Sequence, residues 1–248
     1  MNIWQYLALF LSVILGGLLA FYVQRFSRRW LQVILSFSGA YILGITVLHL
    51  LPGVIAGEEV DERIGIWLLG GFFIQLLLEQ LSGGVEHGHM HAAKGPSARF
   101  ALAVMAGLCL HAFMEGMPLA GYQQLHALHH SGHSHGHQHL LIGIILHKAP
   151  AAFALVTLLL TSGFSRWVTM SCLVVFASMS PLGSAFASLP FWSAEAQHYL
   201  LALVIGSFLH ISTTILFETD SSHRHRVSHR KLLAILAGLG MALGTLYF

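Results

Sequence analysis

The sequence predicts an all-α integral membrane protein with eight transmembrane helices. Three observations point to it. Of 248 residues, 56% are hydrophobic and 9% charged, where a soluble domain carries roughly 25% charged residues. Eight apolar runs, roughly 2–23, 31–51, 64–82, 99–121, 140–161, 167–189, 197–217 and 231–248, each approach the ~20 residues that span a bilayer. The basic residues fall almost entirely on one side. With the N-terminus outside, the inner loops hold Arg25, Arg28, Arg29, Lys94, Arg99, Arg166, Arg224, Arg226, Arg230 and Lys231, and the outer loops hold only Arg63. That asymmetry sets orientation. An even helix count then puts both termini outside the cytoplasm. The connections are short, so 1–248 reads as one transmembrane domain. Cys109 and Cys172 both sit in apolar runs and suggest no disulfide framework.

The first run lacks a basic leader, is long, and is followed rather than preceded by positive charge, so it reads as a retained helix and not a signal peptide. Arg28, Arg29 and Trp30 anchor the second helix at the interface, and His49 in HLLP stands near its outer end as a candidate entrance residue. Glu58, Glu59, Asp61 and Glu62 make the next outer loop acidic. In the third helix Glu79 sits near the inner end, either as an exit-path ligand or as an interfacial carboxylate in water. Gly16, Gly17, Gly39, Gly44, Gly70 and Gly71 are expected to let helices approach closely.

The fourth and fifth helices carry the chemistry. His111 and Glu115 in LCLHAFMEGMPLAG are four residues apart, hence on one helix face. His147 and Lys148 precede Pro150 in LHKAPAAFAL. Ionisable groups at bilayer depth are costly and mark function. The short connection makes the two helices antiparallel neighbours, and a metal between them would take His111, Glu115 and His147, leaving an open fourth position. Pro118, Gly116 and Pro150 interrupt regular backbone beside these residues, as a cavity tolerates. In the later helices Ser180 and His210 are candidate path residues, with interhelical hydrogen bonding as the alternative use of both.

Histidine-rich tracts punctuate the loops. His87, His89 and His91 precede the fourth helix, and His223, His225 and His229 precede the eighth. The largest tract lies in the outer loop 122–139, with His126, His129, His130, His133, His135, His137 and His139. Such composition suits transient metal capture, and its Gly and Ser content also suits a plain solvated linker.

HAFMEG followed by HKAPAAFAL resembles the ZIP family of divalent-metal transporters, in the subgroup whose fifth helix reads HKAP. HLLP (His49 to Pro52) and SPLG (Ser180 to Gly183) match more loosely. The resemblance implies a 3+2+3 helix arrangement with inverted repeats around the fourth and fifth helices, and alternating access. It also implies a departure. Ala112, Lys148, Ala151 and Ser180 stand where two-metal relatives carry further ligands, so one principal metal is expected, with Lys148 as a built-in counter-charge.

The expected function is import of a divalent transition metal, Zn²⁺ first, with Fe²⁺ and Mn²⁺ also suited to imidazole and carboxylate ligands. A membrane-embedded zinc hydrolase is the alternative, with Glu115 as base, although HExxH is absent. An exporter of the cation-diffusion type conflicts with the helix count, and a haem protein leaves Glu115 and Lys148 without a role. The expected partners are the metal ion, the bilayer and a second copy of the chain as a homodimer, with no nucleic acid and no resident cofactor. The expected site is a cell membrane, plasma or inner in a bacterium, internal in a eukaryote.

Overall fold

The computed structural model describes residues 1–23, 28–55, 62–85, 95–120, 136–217 and 228–247. Among these residues the regular structure is entirely helical. Helix α1 spans Ile3–Tyr22. Helix α2 runs from Arg28–Ile45 through a π-turn at Thr46–Leu50 and on through Leu51–Ile55. Then follow α3 (Glu62–Ser82), α4 (Ala98–Gly116), α5 (Gly136–Thr161), α6 (Arg166–Ala187), α7 (Ala194–Phe217) and α8 (His229–Gly244). The first seven are long and apolar enough to cross a membrane. Helix α8, with 16 residues, is about one turn short of a full crossing at 1.5 Å per residue.

Local chemistry accounts for several of these limits. Ser97, Ser165 and Ser228 cap α4, α6 and α8 by accepting from the N–H groups of Phe100, Val168 and Lys231. Helix α5 closes at Gly163, whose φ of 86° lets the N–H of Phe164 return to the carbonyl of Leu159. Its start is earlier than the hydrophobic run predicts. Residues 136–139, part of the expected His-rich loop, already belong to α5, because polar residues join a helix readily where its first turn leaves the membrane. Helix α2 ends later than expected, at Ile55. Its π-turn, in which the N–H of Leu51 reaches the carbonyl of Thr46, lies just before Pro52, which cannot donate to Leu48.

The helices pack as two groups. One contains α1, α4, α5 and α6, with α1 against α5 and α4 against α6; the other contains α2, α3, α7 and α8, with α3 against α7 and α2 against α8. Backbone-to-backbone approach fixes the tightest pairs. A Cβ on Gly71 would strike Leu203 O and one on Gly206 would strike Leu68 O; Gly116 and Gly183 meet Ser180 O and Phe113 O in the same reciprocal way. Of the glycines expected to allow close approach, Gly70 is the exception, with open space around it. Contacts between the groups run through α2 with α5 and α3 with α4. Large apolar side chains such as Leu7, Leu11, Leu15, Phe73, Leu77, Leu232 and Leu236 face outward, as lipid-facing positions should.

The apolar core is divided along the bundle axis. One cluster, around Leu9, Ile42, Ile45, Leu119, Ile144, Ile205 and Phe208, fills the end that carries both termini. The other, around Val13, Leu35, Leu108, Ala151, Leu155, Leu173, Phe176 and Ile211, fills the opposite end. The buried polar residues of α3, α4, α5 and α7 lie at the level between them.

Candidate metal centre

His111 and Glu115 occupy one face of α4, and His147 and Lys148 enter from α5. All four are at most 2% exposed. One ligand atom from each of His111, Glu115 and His147 lies within 4.8 Å of the others. The imidazoles of His111 and His147 stand edge to face, centroids 6.1 Å apart. Zn–N and Zn–O bonds of ~2.0–2.2 Å place tetrahedral ligand atoms roughly 3.3 to 3.6 Å apart. The three side chains therefore need to close by about an ångström, within rotamer adjustment.

A hydrogen bond sets the tautomer of His111. Its Nδ1 is 3.2 Å from Gln75 Oε1, which also accepts from Ser207 Oγ at 3.0 Å. An amide oxygen only accepts, so Nδ1 carries the hydrogen and Nε2 presents its lone pair. That Nε2 is 3.4 Å from Glu115 Oε2. Two acceptors facing each other invite a proton or a cation between them. Support of this kind is what orients metal-binding histidines. Gln75, fully buried, is a residue of the candidate site that sequence reasoning missed. The available signal was an amide at bilayer depth, one turn from Glu79 on the same face of α3.

Lys148 Nζ is 2.9 Å from Glu115 Oε2 and 5.0 Å from the centroid of Phe176. The ammonium is thus held between a carboxylate and an aromatic face, and it shares Glu115 Oε2 with His111 Nε2. Pro150 lacks the N–H that would bond the carbonyl of Leu146, beside His147, yet α5 continues through it.

Other predicted residues fall at different depths. Ser180 Oγ donates to Ala112 O at 2.8 Å, tying α6 to α4 one residue from His111. Glu79 is not an isolated interfacial carboxylate. Its Oε2 is 2.7 Å from His210 Nε2, and Phe72 packs edge-on against that imidazole with centroids 4.7 Å apart. This pair joins α3 to α7 one turn beyond Gln75 and Ser207, towards the end opposite the termini. His49 lies in the π-turn at the terminal end, 2.7 Å from Thr245 Oγ1. His139 lies beside it, ring centroids 6.1 Å apart. The loop residues His126, His129, His130, His133 and His135, and the side chain of His137, lie outside the described residues.

The family model of the ZIP zinc transporter matches residues 83–245. Zinc transporter ZIP9 of Xenopus tropicalis is 31% identical over 205 residues, covering 76% of this chain and 64% of its own length. Zinc transporter ZIP1 of Homo sapiens is 27% identical over 269 aligned positions, covering 89% of this chain and 79% of its own. The ZIP13 homolog of Drosophila melanogaster is 25% identical over 279 positions, with the same coverage. The chain spans just under two thirds of the length of the ZIP9 relatives it matches. A matched segment that includes α4 and α5 with all three candidate ligands, together with these relatives, places the chain in the ZIP family of zinc transporters.

Proposed function

We propose that this chain carries Zn²⁺ across a membrane into the cytoplasm, by way of the site formed by His111, Glu115 and His147. The observation that carries this reading is the burial of three mutually close metal-ligating side chains between two apolar clusters. A site reachable from both sides at once would leak; apolar packing above and below requires that one side open at a time. The two helix groups supply bodies that can move against each other. Exchanging α1 with α6, α2 with α7, α3 with α8 and α4 with α5 maps most of the close helix pairs onto one another. That supports the inverted-repeat reading, in which the inward- and outward-facing states are related by the same exchange.

The asymmetry of Lys and Arg supports outside termini, and with them an inward path past Glu79 and His210. Fe²⁺ and Mn²⁺ satisfy the same ligand set and remain alternative cargo. The site holds one metal, with the Lys148 ammonium in place of a second cation. The loop histidines from His126 to His137 concentrate metal at the outer face. The hydrolase alternative finds no support: the relatives are named as zinc transporters, and an ammonium 2.9 Å from Glu115 opposes its use as a base.

Uptake of radioactive zinc by vesicles reconstituted with purified protein tests the reading. His111→Ala and Glu115→Ala should abolish most uptake while the protein still inserts and elutes as the wild type does. Unchanged uptake in either variant would sink the site assignment.

A further inference from the structure

Two histidines far apart in sequence meet at the end of the bundle that carries the termini. His49 is held by the π-turn of α2, and single π-turns inside α-helices frequently mark functional sites. His139 belongs to the first turn of α5, and the hydroxyl of Tyr41 donates to its carbonyl at 3.1 Å. Both imidazoles are half-buried. Their centroid separation of 6.1 Å equals that of His111 and His147 in the intramembrane triad. Two imidazoles on one Zn²⁺, at ~2.0–2.1 Å per bond and a tetrahedral angle, have centroids roughly 5.2 Å apart. Closing the remaining distance takes small side-chain rotations.

Thr245 Oγ1 lies 2.6 Å from Ala242 O and 2.7 Å from His49 Nε2, so one ring nitrogen of His49 is anchored to the last turn of the chain and the ring orientation is fixed by it. His49 belongs to the α2–α3–α7–α8 group and His139 to the α1–α4–α5–α6 group, so the pair straddles the two bodies. His139 is also the last histidine of the tract that begins at His126.

We infer that His49 and His139 form a second metal site at the mouth of the transporter, taking an imidazole-preferring divalent transition cation from the His-rich tract before it reaches the intramembrane triad. It rests on the transport reading above. Two protein ligands with water completing the shell hold a cation more weakly than three, as a transfer station must. Imidazole selects against Mg²⁺ and Ca²⁺.

The test uses the full chain with His126, His129, His130, His133, His135 and His137 replaced by Ser and with His111→Ala, titrated with Co²⁺ in detergent. Adding His49→Ala should remove one bound equivalent. His139→Ala should remove the same one, so that the double variant loses no more than either alone. His139→Asp should retain it, because a carboxylate also ligates; a merely structural histidine would show no such rescue. Unchanged stoichiometry on either alanine substitution, or losses that add, would overturn the inference. In vesicles, with the tract and His111 intact, His49→Ala should raise the half-saturating Zn²⁺ concentration several-fold at unchanged maximal rate, and a fall in maximal rate alone would also overturn it. The transport reading fails separately, if His111→Ala alone leaves uptake intact, and that result has no bearing on the Co²⁺ titration.

Discussion

Lys148→Ala should weaken the metal-free protein and at the same time tighten its grip on metal. The ammonium lies 2.9 Å from Glu115, and both side chains are 1% exposed. Removing one partner of a buried pair leaves the other charge uncompensated and typically costs ~3–5 kcal/mol. With Zn²⁺ bound, the ion itself compensates Glu115, so most of that cost disappears. The two states therefore lose stability unequally, and linkage converts the difference into affinity. If the metal-bound form is spared only ~1.4 kcal/mol, the variant binds Zn²⁺ about tenfold more tightly. Tighter holding slows release, so turnover falls although binding improves. The assay is thermal unfolding of the loop-deleted protein with and without saturating Zn²⁺, paired with competition titration. The wild type should lose its advantage over the variant once Zn²⁺ saturates both. An equal deficit in both conditions, an affinity unchanged or weaker, or two tightly bound metals in the loop-deleted wild type would refute the counter-charge argument.

Further outcomes follow from neighbouring features. Gln75→Leu deprives His111 and Ser207 of their acceptor and should weaken Zn²⁺ binding ~10–100-fold, the range for loss of a ligand-orienting group, with Gln75→Glu retaining binding; isothermal titration reads both. Gly206→Val drives a Cβ into the carbonyl of Leu68 and should cost ~1–3 kcal/mol or more, lowering the unfolding temperature. Gly240→Ala, with nothing within 4 Å of its Cβ, should be neutral or stabilising by up to ~1 kcal/mol. Replacing residues 126–137 with a Gly/Ser linker should raise the half-saturating Zn²⁺ concentration in vesicle uptake and leave the maximal rate intact, because a tethered chelator acts only through local concentration.

The helices were legible because a bilayer imposes one rule on every segment: bury the backbone polar groups and expose apolar side chains. The triad was legible for the complementary reason, since His111 and Glu115 share a face and no charge sits at that depth without a use. Gln75 escaped because an uncharged amide between Ile74 and Leu76 offers no ionisation signal, and its value depends on α4 and α7 both reaching it. Glu79 and His210 each looked ambiguous alone, as they come from helices separated by more than a hundred residues and become a pair only when Gly71 and Gly206 let α3 and α7 touch. The earlier start of α5 was hidden by its histidines, which hydropathy assigns to water although a helix projecting past the membrane surface accepts them.

Under the proposed transport cycle, in which the two helix groups move against each other, the hydrogen bond from His111 to Gln75 crosses from one body to the other. A ligand's orientation is thus stored partly in a body that does not carry it. When the groups shift, the imidazole loses its guide, its ring becomes free to turn, and its hold on the ion weakens without any ligand being withdrawn. By the same linkage, an ion that binds best to the guided ring favours the arrangement in which the two bodies are in register. Cargo and conformation then set each other's lifetimes, and the weakest moment for the ion coincides with the moment the route ahead of it changes.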